Sequence, residues 1–283
     1  MSNLRLGLPS KGRLAEEAAA LVTQAGLSFR RQERSLFARV SELPVDITFL
    51  RSQDIPVLCS ERAIDMGITG GDLIAAAGVD LTTRLALGFG NCRLAVCVRD
   101  DSAYQTVADL AGCRVATSFM HVTKRFFRKL EGDVRIVPLS GSVEIMISLG
   151  VAEAIVDLVQ TGSTLAANHL RILTDIGRYE TMLVQNLAAR QSDVADRVVR
   201  RLEGVVIARD WSLLEYNIPR AKLADAERIT PGFNSPTVNA LEDQSWCAVQ
   251  VMVKRKELIA VMDRLEAIGA TAILETRINN CRL

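Results

Sequence analysis

The sequence AIVDLVQTGSTL, residues 154–165, reads as a buried strand that passes through one acidic residue into a turn rich in hydroxyl groups. Asp157 stands where a carboxylate could accept hydrogen bonds from sugar hydroxyls, and residues 161–164 offer free backbone N–H groups at the start of a helix. Helix N-termini bind phosphate through oriented amides and the helix dipole. The stretch therefore indicates a phosphorylated sugar as ligand. A plain strand, tight turn and helix capped by Thr161 or Ser163 explains it equally well.

Strands and helices alternate on both sides of this stretch, which favours a mostly parallel α/β sheet. We predict strands at 4–8, 45–50, 64–68, 94–98, 114–116, 136–139 and 182–186, with helices at 14–25, 54–59, 142–149 and 192–204. The order suggests two α/β lobes joined by crossing strands: lobe I at 1–90 and 178–204, and lobe II at 91–177. Ligands of open α/β sheets bind at the carboxyl ends of strands.

The last part of the chain, residues 205–283, has a different pattern. It reads as strand 205–208, helix 219–226, strands 237–241 and 248–253, helix 256–268 and strand 272–277. This βαββαβ order predicts a ferredoxin-like domain. Leu258, Val261, Met262, Leu265 and Ile268 lie on one face of its second helix, and this stripe is best explained by packing against the sheet of its own domain.

Composition excludes several classes of protein. The 283 residues suffice for about two domains, and the net charge of +1 provides no broad basic surface for nucleic acid. The six cysteines form no CxxC pair, and with only two histidines they predict neither a protein-held metal site nor a disulfide framework. We find no signal peptide and no apolar run long enough to span a membrane, so we expect a cytoplasmic protein that binds neither membrane nor nucleic acid.

Six ordered motifs resemble those of the ATP phosphoribosyltransferase family. They are LGLPSKGRL (6–14), FLRSQDIP (49–56), DMGITGGDL (65–73), LGFGNCRL (87–94), the run from LSGSVE through LGVAEA into 154–165, and ITPGFNSPTV (229–238). The resemblance is to the long form, which carries a C-terminal regulatory domain of the ACT-like type. It implies a periplasmic-binding-protein type of fold for the two lobes and transfer of the phosphoribosyl group of phosphoribosyl pyrophosphate (PRPP) to N1 of ATP. This reaction is the first step of histidine biosynthesis.

The resemblance also implies regulation, metal use and assembly. Histidine is expected as a feedback inhibitor, Mg²⁺ as an ion carried by the pyrophosphate of the substrate, and a homo-hexamer built from dimers as the assembly. Two other functions fit the fold: a non-catalytic small-molecule-binding protein, and a regulatory homologue without activity. The missing signal peptide and missing helix-turn-helix weigh against the first, and intact site residues weigh against the second.

Phosphoribosyl transfer requires a cradle for the 5-phosphate, cations for the departing pyrophosphate and a slot for the nucleophile. The expected PRPP-binding residues are Asp157, Thr161, Gly162, Ser163, Thr164 and Glu144. Arg51 and Lys11 are the expected cations, since an arginine fork matches phosphate oxygens, and with Asp157 they form the predicted catalytic set. Arg51 also fits a solvated arginine after a strand, and Glu144 fits a residue in a first helical turn.

The nucleotide would lie against two glycine-containing turns. The expected ATP-binding residues are Lys11, Gly12, Arg13, Gly70, Asp72 and Leu73. Asp72 is equally well placed to act as the N-cap of the following helix. We identify no general base and predict neither a covalent intermediate nor a nucleophilic cysteine, because an adenine ring nitrogen is already a nucleophile.

The expected histidine site lies in the C-terminal domain. The resemblance places Asn217, Phe233, Ser235, Thr237 and Ala272 around the effector, with the hydroxyls and amides receiving the charged ends of the amino acid. A proline-containing loop that simply enters a strand is the alternative for residues 233–237.

Overall fold

The computed structural model describes residues 3–32, 35–130, 133–159, 163–186 and 193–282. Within these ranges the strands are β1 Leu4–Pro9, β2 Phe37–Arg39, β3 Val45–Leu50, β4 Met66–Gly70, β5 Leu81–Ala86, β6 Cys92–Arg99, β7 Arg114–Thr117, β8 Arg135–Pro138, β9 Ala154–Val159, β10 Leu170–Tyr179, β11 Thr181–Asn186, β12 Trp211–Pro219, β13 Thr237–Ala240, β14 Trp246–Lys254 and β15 Thr271–Arg277. The helices are α1 Ala15–Gln24, α2 Ile55–Ser60, α3 Gly71–Ala77, α4 Met120–Lys129, α5 Ser163–Ala167, α6 Asp193–Asp210, α7 Leu223–Ile229 and α8 Leu258–Ala267.

The chain divides into two compact units, residues 1–23 with 27–197, and residues 24–26 with 198–283. The first unit contains two sheets. The first sheet has the order β2-β3-β1-β4-β11-β5, and the second has the order β10-β6-β9-β7-β8. The chain passes from the first sheet to the second between β5 and β6 and returns between β10 and β11. This two-lobed α/β layout with crossing segments confirms the predicted fold class. Both sheets are mixed and not mostly parallel as predicted, because β2, β5, β6, β10 and β11 pair antiparallel with their neighbours.

Three strands in each of these sheets are parallel neighbours. β1 lies between β3 and β4 in the first sheet, and β7 lies between β8 and β9 in the second. Apolar side chains fill both faces of the second sheet: Val96 and Phe127 belong to the cluster on one face, and Ala116 and Ile155 to the cluster on the other. Because both faces of this sheet are covered, a ligand can reach it only at the loops that follow the strand ends.

The second unit contains the predicted ferredoxin-like domain. Its sheet has the order β13-β14-β12-β15 with antiparallel neighbours throughout, and the element order is βαββαβ. The α8 stripe packs on this sheet as predicted, since Leu258, Val261 and Leu265 join the same buried cluster as Tyr216.

Two predicted elements are wrong. Residues 205–208 are not a strand but the last turns of α6, because buried Val198, Leu202, Val205 and Ala208 keep helical spacing past Gly204. Gly204 does not stop the helix. A Cβ there would lie 2.5 Å from Asn280 Oδ1, and the Cys281 N–H donates to the Gly204 carbonyl at 2.9 Å. The C-terminal segment can pack this close to α6 because Gly204 has no side chain.

The predicted helix at 142–149 shortens to a single 3₁₀ turn at Val143–Met146. Ser142, the residue before it, has a φ of +50°, a left-handed conformation that starts no regular helix. Within the described ranges, no helix is both long enough and apolar enough to cross a bilayer.

Candidate active site

The carboxyl ends of β1, β3 and β4 meet at one edge of the first sheet, because parallel neighbours end on the same side. This edge carries three groups of predicted residues. Lys11, Gly12 and Arg13 follow β1, Arg51 follows β3, and Gly70, Asp72 and Leu73 end β4 and begin α3. The structure therefore brings together residues that three separate motifs supply.

The loop after β1 is fixed to the end of β3. The Ser10 N–H donates to the Leu50 carbonyl at 2.7 Å. Lys11 and Arg51 directly follow these two residues, so the two cations lie on neighbouring segments. Gly12 has a φ of +87°, a left-handed conformation that glycine adopts without strain, and the Ala15 N–H donates to its carbonyl at 3.1 Å. Lys11 and Arg51 are both exposed, so their charges are available to an anion.

Arg31 is a third cation at this edge, and sequence reasoning missed it. Its guanidinium lies 4.0 Å from the centre of the Phe49 ring, and Arg31 Nη1 donates to the Ser10 carbonyl at 3.3 Å. A cation over an aromatic face is a favourable contact. Arg31 lies outside all six motifs, and no spacing in the sequence links it to Ser10.

Arg13 and Asp72 form an ion pair. Arg13 Nη2 donates to both Asp72 oxygens, at 3.1 and 3.0 Å, and Asp72 is only 1% exposed. Arg13 Nη1 donates to the Gly90 carbonyl at 2.8 Å, and Arg13 Nη2 lies 3.6 Å from Cys92 Sγ. The expectation that Asp72 caps α3 is wrong. The N-cap is Gly70, and the Asp72 carboxylate faces Arg13 from the first turn of the helix.

The predicted PRPP residues follow strands of the second sheet. Asp157 lies in β9, Glu144 lies in the 3₁₀ turn after β8, and Ser163 and Thr164 begin α5 after β9. Because β7, β8 and β9 are parallel, these positions share one edge of that sheet. Thr161 and Gly162 lie outside the described residues.

Asp157 is the electrostatically unusual residue at this edge. Burial raises the pKa of its carboxyl above the ordinary value, and the neighbouring Glu144 charge raises this pKa further. A hydrogen bond that the Leu158 N–H donates to Asp157 Oδ1 at 2.8 Å acts in the opposite direction. A ligand that offers hydroxyl donors would satisfy this half-buried carboxylate.

The helices that follow the two edges pack against each other. Ala75 and Ala76 of α3 belong to the apolar cluster of the second sheet, which also contains Val122 of α4. A Cβ placed on Gly78, at the end of α3, would lie 3.7 Å from His121 Cγ. Since α3 follows β4 and α4 follows β7, this packing joins the helices that come directly after the two edges.

Comparison with known proteins decides the family. A model of ATP phosphoribosyltransferase matches residues 51–204, and one of the HisG C-terminal domain matches residues 208–280. The chain is 64% identical to an ATP phosphoribosyltransferase of Rhodopirellula baltica over 282 residues, which covers 100% of this chain and 94% of the relative. The chain belongs to the ATP phosphoribosyltransferase family.

Other members of the family agree with this assignment. An ATP phosphoribosyltransferase of Saccharopolyspora erythraea is 39% identical, with 99% of this chain and 100% of the relative covered. The solved ATP phosphoribosyl transferase (HisG:HisZ) complex from Thermotoga maritima contains a chain with a TM-score of 0.63 and 27% identity, covering 72% of this chain and 98% of that one. The predicted resemblance, the long form, the activity and its place as the first step of histidine biosynthesis are confirmed.

In this ATP phosphoribosyltransferase the predicted histidine-binding residues fall into two groups. Phe233 packs on Trp211 at the start of β12, with ring centroids 4.3 Å apart, and exposed Ser235 follows it. Exposed Thr237 begins β13 level with Glu215, because both residues pair with Gln250. Asn217 lies near the far end of β12, opposite Thr271, and next to it Ala272 sits in a β-bulge with a φ of +48°. Residues 211 and 217 are about 20 Å apart along a strand. The structure therefore separates Phe233 from Asn217 within one domain, whereas Thr237 lies at an intermediate level of the sheet.

Proposed function

We propose that ATP binds at the edge of the first sheet and that PRPP binds at the edge of the second. Lys11, Gly12, Gly70 and Leu73 line the nucleotide site, with Arg13 and Asp72 behind them. Asp157 binds the ribose hydroxyls of PRPP, residues 161–164 hold the 5-phosphate, and Glu144 contributes to the ribose side. The observation that carries this proposal is the convergence of three loops at the carboxyl ends of β1, β3 and β4.

The charges of the two edges match the reaction. The bond between C1 of the ribose and the pyrophosphate oxygen breaks, the electron pair leaves with pyrophosphate, and the N1 lone pair of ATP forms the new bond. The adenine amino group loses the proton that balances this step, and the released pyrophosphate or solvent accepts it. Arg51 and Lys11 are exposed cations that stabilise the growing charge on pyrophosphate. Orientation of the two substrates can supply about 7–11 kcal/mol of the barrier reduction.

Mg²⁺ enters with PRPP as part of the substrate. Hard cations of this kind keep several water ligands and bind through substrate phosphates and one or two carboxylates. Asp157 and Glu144 lie close enough for the Glu144 charge to raise the Asp157 pKa, so they suit a ligand set that includes a cation. The protein's own residues hold and orient the ribose and phosphates.

We further propose that histidine inhibits the enzyme through the C-terminal domain and that the enzyme is a hexamer. The assembly proposal is supported by Leu274, which lies opposite Glu215 on the sheet face away from the buried cluster and exposes 60% of its surface. Analytical ultracentrifugation with and without histidine tests the assembly. A species of six 30.9 kDa chains is expected, and a monomer would contradict it.

The decisive experiment is an absorbance assay that distinguishes phosphoribosyl-ATP from ATP, with PRPP and Mg²⁺. Turnover that histidine suppresses is expected. Turnover that falls in Arg51→Ala and Asp157→Asn would support the residue assignments. Full turnover in both variants would overturn them and leave the family activity in place.

A further inference from the structure

The Arg13–Asp72 ion pair joins the ATP loops to the points where the chain crosses between the lobes. We propose that the pair is a positioning device, which couples the loop carrying Lys11 to the lobe crossing and itself makes no independent contact with ATP. The inference rests on the proposed ATP site and sharpens it, since Arg13 and Asp72 then act through their neighbours.

Asp72 is unsuited to direct contact with a nucleotide. Its side chain is 1% exposed, and both of its oxygens accept hydrogen bonds from Arg13 Nη2. A carboxylate would also repel the triphosphate of ATP. A buried carboxylate needs a partner, because an uncompensated charge in the interior is strongly unfavourable. Asp72 therefore serves to hold Arg13.

The other terminal nitrogen of the Arg13 guanidinium contacts the first crossing, which is the segment between β5 and β6. Arg13 Nη1 donates to the Gly90 carbonyl at 2.8 Å. Gly90 has a φ of +66°, and a Cβ there would lie 2.6 Å from both Leu14 Cδ2 and Thr181 Oγ1. The crossing thus packs directly against the residue that follows Arg13, and only glycine fits the space.

The second crossing is attached to the same place. The Gly71 N–H donates to the Glu180 carbonyl at 2.8 Å, beside Asp72. The Thr181 N–H donates to the Phe89 carbonyl, and the Leu87 N–H donates to the Thr181 carbonyl, each at 2.9 Å. Both crossings and both ATP loops therefore meet at the ion pair. A rotation of one lobe against the other about these crossings would move the loop that carries Lys11.

The test is a double-mutant cycle on the full-length enzyme. The variants are Arg13→Met, Asp72→Leu and the double substitution. In the double variant two apolar side chains replace the ion pair, so no unpaired buried charge remains. Each single change should raise the KM for ATP about tenfold, and the double change should be no worse than the worse single one, because the same contact is lost once. The KM for PRPP should stay within about twofold, since its residues lie on the other sheet.

Further variants and measurements separate positioning from simple destabilisation. Arg13→Lys keeps the ion pair and should recover part of the KM for ATP. Far-ultraviolet circular dichroism and thermal unfolding verify that each variant is folded. The exposed Arg99–Asp101 pair, at 2.6 Å, is the matched control, and Arg99→Met should leave the KM for ATP unchanged.

Multiplying effects, about one hundredfold in the double variant, would show that Arg13 contacts ATP directly and would overturn the inference. An unchanged KM for ATP in all variants, or equal rises in both KM values, would overturn it as well. Absence of wild-type turnover with ATP and PRPP would instead contradict the proposed function.

Discussion

Three predicted ATP-site and cation residues lie at one sheet edge, whereas Phe233 and Asn217 of the predicted histidine site lie toward opposite ends of one strand. Lys11, Arg51 and Gly70 come from three motifs, yet all follow or end parallel strands and meet at one edge of the first sheet. In the C-terminal domain, Phe233 lies at one end of β12 and Asn217 near the other. The difference follows from strand direction: a parallel sheet collects its strand ends at one edge, whereas an antiparallel sheet distributes them over both.

The largest expected effect tests the converging region. Arg51→Ala should lower kcat/KM by about 10²–10³-fold, because it removes a charge that stabilises the leaving pyrophosphate. Arg39 is the matched control, since it is an exposed arginine of the same sheet that pairs with Asp46 at the opposite end of β3. Steady-state kinetics that show equal losses for Arg39→Ala and Arg51→Ala would break the assignment of this edge.

Asp157→Asn tests the second edge. Loss of charged hydrogen bonds to ribose should raise the KM for PRPP by about tenfold or more, whereas the KM for ATP changes little. Asparagine keeps the side-chain oxygen that accepts the Leu158 N–H. A KM for ATP that rises in parallel would place both substrates at one edge.

The same variant has a pH signature in stability. Burial raises the Asp157 pKa in the folded state, so the ionised carboxylate disfavours folding above that pKa, and this penalty disappears as the pH falls through it. Asp157→Asn should therefore have a higher Tm than the parent at neutral pH, and the difference should shrink in acid. Thermal unfolding across the acidic range checks this sign, and a difference that grows in acid would contradict it.

Gly70→Ala should have an intermediate effect. A Cβ at Gly70 would lie 2.1 Å from Asp72 Oδ1, an atom that Arg13 holds in place. Crowding of this kind costs about 1–3 kcal/mol of folding free energy, and we expect a matching fall in Tm. At Gly141 a Cβ meets nothing within 4 Å, so Gly141→Ala is the control for stability. Equal Tm values for both variants would show that the ion pair yields to the methyl group.

The smallest expected effects test the diverging region. Ser235→Ala should raise the histidine concentration for half inhibition by about two- to tenfold, through loss of one hydrogen bond. Asn217→Ala is measured beside it in the same assay. A rise in both would show that the two groups serve one site in the assembled enzyme, and a rise in only one would assign histidine to that end of the sheet.

The sequence predicted elements best where the apolar pattern and the stop signal agreed. The stripe Leu258, Val261 and Leu265 ends before Gly269, and α8 forms there. At Gly204 the apolar pattern and the stop signal disagreed. The helical spacing of apolar residues continues past this position, and the C-terminal segment packs against the glycine. Long-range contacts could not be predicted from the sequence. Arg13 and Asp72 are 59 residues apart, and nothing in the local sequence shows that they pair. The motifs indicated the candidate residues, but which of them pair with each other, as Arg13 does with Asp72, required the fold.

Because Gly204 of α6 packs against residues 280–281, the effect of a substitution at position 204 depends on a distant stretch of sequence. In the full chain, alanine at position 204 would collide with Asn280 and should lower stability. In a chain shortened after Arg277 the obstacle is gone, and alanine should stabilise the helix by up to about 1 kcal/mol, since glycine is the poorer helix former. One substitution thus has opposite signs in two lengths of the same protein. During evolution, loss of the C-terminal residues would release position 204 from its requirement for glycine.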